Sequence, residues 1–160
     1  MDTATLIQTS KLVSIPIPFI LAGYSLSFSQ NSVPTLYDAP AHVSTPAFKR
    51  IFYSGSAIAT PGGLITVGAT SYLAYAIPAE RTQWAIAATA CLIPPVWTAL
   101  VMLPGIKRLI EISGDKAKQD KATANLEHRQ LLTRWVKQNY VRMACFLVAG
   151  VTALRVTVGA

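Results

Sequence analysis

The amino-acid sequence predicts an all-α fold, a four-helix transmembrane bundle whose last helix continues as a long cytoplasmic extension. Three observations predict it. Of the 160 residues, 52% are hydrophobic and only 13% charged, which is about half the charged share of an average soluble domain. The mean hydropathy is +0.41, too apolar for a water-soluble chain of this size to cover with so few charges. Apolar stretches recur near 11–30, 55–77, 82–104 and 139–159, each about the 20 helical residues needed to cross roughly 30 Å of hydrocarbon. This composition excludes a disordered chain, a coiled coil and a disulfide scaffold. The length places residues 1–160 in one membrane domain.

The first stretch, 11–30, lacks a strongly basic n-region and runs through Gly23-Tyr24-Ser25-Leu26-Ser27 without an Ala-x-Ala cleavage site. It is therefore expected to stay as a span rather than leave as a signal peptide. Tyr24, Ser27 and Asn31 recur at i, i+3 and i+7 with Ser25 and Ser29 beside them, a polar stripe expected to face inward. The second and third stretches contain Pro61-Gly62-Gly63 and Pro94-Pro95. Missing amide donors predict kinks there, while Gly63, Gly68 and Gly150 suit close helix packing equally well.

The segment 122–159 is expected to form one long helix, cytoplasmic at its start and membrane-spanning at its end. At about 100° per residue, His128, Leu132, Trp135, Asn139, Arg142 and Phe146 fall on one face. An arginine facing lipid is costly, so Arg142 should face the bundle interior or a wet cavity. Arg155, on the opposite side, can snorkel to the far interface.

Charge position orients the bundle. Loop 31–54 carries Lys49 and Arg50, and loop 105–138 carries eight of the 14 basic residues, interleaved with Glu111, Asp115, Asp120 and Glu127. The other side has Lys11 and Arg81. The positive-inside rule then puts both long loops in the cytoplasm and both termini across the membrane. The formal charge of +7 thus points to anionic lipid headgroups, and no nucleic-acid partner is expected. Tyr72, Tyr75 and Trp84 fit an aromatic belt at the far interface.

Cys91 and Cys145 lie in apolar runs and are expected to be inert thiols. No GxGxxG, Walker A, HExxH, EF-hand or CxxC pattern occurs, and the two histidines stand 86 positions apart. No metal or nucleotide cofactor is expected. The face of the last helix, with its imidazole, indole, carboxamide and guanidinium, faces two complementary surfaces. These are the Tyr24, Ser27, Asn31 stripe and the pair Trp97-Thr98 after the double proline. Together they would line an amphipathic pocket open to the cytoplasmic leaflet, able to take an aromatic or polyene molecule from lipid. The alternative is structural: Arg142 pairing a carbonyl, Asn139 tying helices, Trp135 anchoring at the interface and His128 solvated.

The run Trp97-Thr98 followed by Met102, Pro104 and Leu109 resembles the aromatic-Thr-x-x-x-Met-x-Pro-Thr-Asn-x-x-Leu segment of the anthrone oxygenase-like membrane proteins. Trp135, Asn139 and Arg142 match that family's Trp-x-x-x-Asn-x-x-Arg, and Gly23, Ser25, Ser27 with Val33-Pro34 resemble its first span. One departure stands out: Gly105-Ile106 replaces the Thr-Asn that often follows the proline. The resemblance implies oxidation of an anthrone to an anthraquinone by O₂ in polyketide biosynthesis, without metal or flavin, in an endomembrane such as the endoplasmic reticulum.

On that reading His128 is the base, Arg142 and Asn139 stabilise the oxyanion, and Trp97 and Trp135 stack on the rings. Ser27, Asn31, Thr98 and Phe146 complete the binding surface for a hydrophobic polyketide. An alternative is an epoxide hydrolase or cyclase, with Tyr24 or Arg142 polarising the epoxide oxygen and Asp38, Glu80 or His128 activating the nucleophile. A further alternative is a non-enzymatic scaffold or transporter subunit. The oligomeric state is open.

Overall fold

The structure is a computed structural model and describes residues 2–159. Helix α1 (Thr3–Ser14) opens on Asp2, whose carboxylate accepts the Thr5 amide at 2.7 Å, an N-cap that satisfies one of the free first-turn donors. Pro16 starts α2 (Pro16–Ser27), a position that suits proline because that N–H is spare. α2 runs on through a π-helical turn at Phe28–Ser32 and a 3-10 turn at Pro34–Leu36. After Pro40 the chain reverses into α3 (Ala41–Ala76). Helix α4 (Arg81–Trp97) passes through a second π-helical turn, Thr98–Met102, into α5 (Leu103–Ser113). Helices α6 (Lys116–Ala124) and α7 (Glu127–Val158) complete the fold, and no strand occurs among the described residues.

Three helical runs are long and apolar enough to cross a membrane: Thr3–Leu36, Pro78–Ser113 and Glu127–Val158. The 36-residue α3 is not among them. Its threonines, glycines and prolines dilute its hydropathy without breaking it.

The expected long loops are corrected. Residues 31–54 belong almost entirely to the end of the first helical run and the start of α3, with a reversal at 37–40. Residues 105–138 are helical except at 114–115 and 125–126. Hydropathy reads an amphipathic helix with a polar outer face as a loop, and this region is built of such helices. The last helix is likewise shorter than expected, because α6 and α7 are separate. Leu126 turns the chain at φ +58°, and the Asn125 side chain accepts the Glu127 amide at 3.0 Å.

α7 packs most extensively on α4 and α2, and α3 on α4 and α1. Near the centre Leu21, Ala22, Ala90, Cys91, Phe146 and Ala149 form one core. Towards α5 lies a second, with Val33, Phe48, Met102, Ile106, Leu132 and Trp135. At the far end Lys11 pairs with Glu80 at 3.3 Å, and Trp84 Nε1–H donates to the same carboxylate at 2.8 Å. Trp84 is therefore fully buried and does not join the expected interfacial belt, whereas Tyr75 is exposed. At the opposite end Arg108 holds Glu127 through two hydrogen bonds, of 2.7 and 3.2 Å, and Glu111 through one of 3.1 Å, tying α5 to α7.

The small residues divide between packing and space. A Cβ at Gly150 would lie 3.1 Å from the Phe19 ring, so this glycine sets the approach of α2 to α7. A Cβ at Gly63 would meet nothing within 4 Å. Gly150→Val should therefore overpack the α2–α7 contact by about 1–3 kcal/mol. The expected result is a clearly lower midpoint in a thermal melt of the detergent-solubilised protein; an unchanged midpoint would show that the contact is loose.

Candidate functional site

One face of α7 builds the site. His128, Leu132, Trp135, Asn139 and Phe146 are all buried, as a 3.6-residue period requires of residues on one stripe. Helical side chains lean towards the N-terminus. Arg142 leans that way, and its Nη1–H donates to Asn139 Oδ1 at 2.9 Å. The carboxamide nitrogen of Asn139 donates in turn to the Ser25 carbonyl and to Ser29 Oγ, both at 2.9 Å. Each end of the amide thus has the partner its chemistry demands, and α2 fixes the direction of the guanidinium. Arg142 Nε is buried and has no hydrogen-bond partner.

Beside Arg142 lies a chamber of about 320 Å³, at the small end of ligand cavities, which run to roughly 300–1,000 Å³. Phe52, Ser56 and Gly63 of α3, Pro94 of α4, Thr98 and Phe146 form its wall. Leu64, Leu92, Pro95 and Ala99 also line it and are exposed on the apolar outer surface between α3 and α4. The open space at Gly63 is this chamber. Pro94 and Pro95 leave carbonyls one turn back without amide partners, and the Thr98 hydroxyl donates to the Pro94 carbonyl at 2.8 Å.

A smaller void of about 30 Å³ shares Phe52, Ser56, Ala59 and Arg142 with the chamber. Its other wall is formed by Tyr24, Phe28, Gly55, Trp135 and Asn139. Trp135, set edge-on to Phe48 with ring centroids 5.3 Å apart, has a buried Nε1–H with no partner.

The structure gathers Arg142, Asn139, Trp135, Tyr24, Thr98 and Phe146 around these two spaces and places the other candidates elsewhere. His128 is 14 residues before Arg142, about 21 Å along the helix axis at 1.5 Å per residue. Its Nδ1 lies 2.8 Å from the Ala122 carbonyl and its Nε2 3.1 Å from that of Ala39. The ring is wedged between these two carbonyls, holding α6 and the reversal at 37–40 against α7 and away from the chamber.

Asp38 is exposed and lies 3.5 Å from Arg129, and Glu80 is at the far end of the bundle. No Asp, Glu or His lines either space. Trp97 donates to the Gln138 carbonyl at 3.3 Å and faces an outer apolar groove instead of the chamber. Ser27 and Asn31 are exposed. The inward positions on that helix are Ser25 and Ser29, a rotation from the expected stripe that the i, i+4 spacing of these serines marks in the sequence. Ile106, where the resembling family often has asparagine, is a core residue here.

Fold and geometry define a class: an all-helical protein with helices long and apolar enough to cross a membrane, and a chamber beside a half-buried guanidinium. The sequence model of the family described as anthrone oxygenase matches residues 48–152, more than half of the chain. The chain belongs to that family, whose name denotes oxygenase chemistry. The matched stretch contains Phe52, Ser56, Thr98, Trp135, Asn139, Arg142 and Phe146, and leaves Tyr24, Ser25 and Ser29 of the first helical run outside. No curated protein and no solved structure matches the chain.

His128→Ala should remove the clamp and lower stability by about 1–3 kcal/mol, seen as a lower melting midpoint. Binding of a hydroxyanthraquinone per folded molecule should be unchanged. Lost binding at an unchanged midpoint would put His128 back in the site.

Proposed function

We propose that this protein is a cofactor-independent oxygenase that draws a hydrophobic, anthrone-like polyketide from the bilayer and oxidises its benzylic methylene to a ketone with O₂. One observation carries the reading: in an apolar chamber, the single charged group is the half-buried Arg142 guanidinium, which Asn139 holds through one Nη1–H and which keeps its other Nη N–H groups for a substrate oxygen. The family supports the reaction type.

The chemistry asks little of the protein. The methylene of an anthrone tautomerises to an electron-rich enol, and its anion concentrates charge on the former ketone oxygen. A preorganised donor in a water-poor site stabilises such an oxyanion far better than water does. Arg142 supplies the donor, and Asn139 with Ser25 and Ser29 keeps it in place. The anion then gives one electron to O₂, and the two radicals join in a carbon–oxygen bond. The resulting peroxide takes up one proton, matching the one lost on enolisation. Loss of water, with the remaining C–H proton, leaves the ketone. One O₂ is consumed, one of its atoms enters the product and the other leaves as water. Phe52 and Phe146 offer apolar ring surface for the substrate.

Asp38, Glu80 and His128 all lie away from the chamber, so neither reaction finds a carboxylate or imidazole base there. In the oxygenase reaction the acidic enol gives its proton to water at the chamber mouth, whereas epoxide opening needs a base to activate its nucleophile. The family's oxygenase description therefore decides for oxidation. Arg142→Met should lower O₂ consumption with an anthrone by about 10²–10³, the range for losing one oxyanion donor. An oxygen electrode reads this above the buffer blank; an unchanged rate would take Arg142 out of the chemistry, and a wild-type rate equal to the blank would favour a scaffold or transporter role.

We further infer that α3 is a fourth span, because it lies lengthwise on α1 and α4, which belong to spanning runs. The basic turns then lie in the cytoplasm and both termini across an endomembrane, such as that of the endoplasmic reticulum. A glycosylation acceptor appended to the C-terminus should be modified, and one inserted at 114–115 should not. The reverse pattern would invert the topology.

A further inference from the structure

We propose that the small void behind Arg142 is a dioxygen subsite, in which Trp135 Nε1–H and Arg142 Nε–H together receive the anion that O₂ becomes on taking an electron. This rests on the oxygenase reading above. Four observations lead to it.

The first is size. At about 30 Å³ the void admits no aromatic ring, whereas a water-sized guest needs only about 10–15 Å³. A diatomic molecule fits. The second is position: Arg142, Phe52 and Ser56 line both spaces, so a guest in the void sits directly against the substrate chamber.

The third is an excess of donors. Trp135, 95% buried, and Arg142 each present an N–H with no partner. Buried donors are rarely left unpaired. Asn139 Oδ1 already receives Arg142 Nη1–H and the Phe52 carbonyl the Ser56 hydroxyl, and no protein oxygen stands in hydrogen-bond geometry to either free N–H. What the two N–H groups lack is an oxygen.

The fourth is the match to a changing guest. Neutral O₂ is apolar and a poor acceptor, at home against Phe28 and Phe52. One electron from the substrate anion converts it to superoxide, leaving a substrate radical, and the new anion accepts from both donors at once. The subsite therefore favours the reduced species over the bound gas, and such a difference accelerates a step where uniform binding does not. Superoxide then bonds to the methylene carbon, the peroxide oxygen takes one proton, and ketone and water form as described above.

Gly55 gives the test a variant that removes no donor. A Cβ there would lie 3.7 Å from Phe28 and 3.8 Å from Tyr24, ordinary contact distances, so alanine fits the fold and fills the void. Rates with an anthrone would be measured at varied O₂ and, separately, at varied anthrone for wild type, Gly55→Ala and Trp135→Phe. Gly55→Ala should raise KM for O₂ several-fold. Trp135→Phe should lower kcat/KM for O₂ by about tenfold or more, the loss of one hydrogen bond to an anion. KM for the anthrone should be unchanged in both, which also shows that the variants are folded. Active variants with unchanged O₂ dependence, or a raised KM for the anthrone alone, would overturn the subsite and leave the oxygenase reading standing. A wild-type protein that consumes no O₂ would end both.

Discussion

A guanidinium survives in the wall of an apolar chamber here because Asn139 ties it to a second helix. An arginine at membrane depth costs on the order of 2.5–3.5 kcal/mol on insertion scales, and interhelical hydrogen bonds in membranes return about 0.6–2 kcal/mol each. The relay from Arg142 through Asn139 to Ser25 and Ser29 therefore offsets the cost without saturating the cation. The N–H groups left over, the buried Nε–H among them, remain for guests in the two spaces that Arg142 lines. Stability and chemistry meet in that imbalance: a fully paired arginine would be a strut, and an unsupported one would not stay buried.

The rest of the fold keeps this relay aligned. Gly150 lets α2 approach α7 against Phe19, which brings Ser25 and Ser29 within reach of Asn139. At the basic end, Arg108 binds Glu127 and His128 meets the carbonyls of Ala122 and Ala39, holding the start of α7 in register. At the other end Lys11, Glu80 and Trp84 join the first run to α4. The chamber opens where α3 and α4 carry their prolines and glycines, residues that leave space between helices otherwise closely packed.

Much of this was legible in the sequence, for physical reasons. The inward face of α7 followed from the helical period, and Arg142 was marked because a lipid-facing cation is expensive. Of the three motifs that carry the oxygenase resemblance, the one on α7, Trp135, Asn139 and Arg142, lines the small void. Other features depend on tertiary partners that local pattern does not show. His128 looked like a base until Ala39, 89 residues away in sequence, took one of its nitrogens. Ser25 and Ser29 displaced Ser27 and Asn31 because a polar residue's inward direction is decided by what it meets. α3 escaped a hydropathy reading through its small and polar residues, and the wall residues Gly55 and Ser56 carry no recognisable motif.

The central claim, that Arg142 binds the oxygen of a hydrophobic ring system, is tested most directly by equilibrium binding of two ligands of equal shape. Anthraquinone carries carbonyl acceptors and anthracene carries none. Wild-type protein should prefer the quinone by about tenfold, the worth of a hydrogen bond from a charged donor, and Arg142→Met should bind both alike. Equal binding by the wild type, or a preference that persists in the variant, would contradict the account.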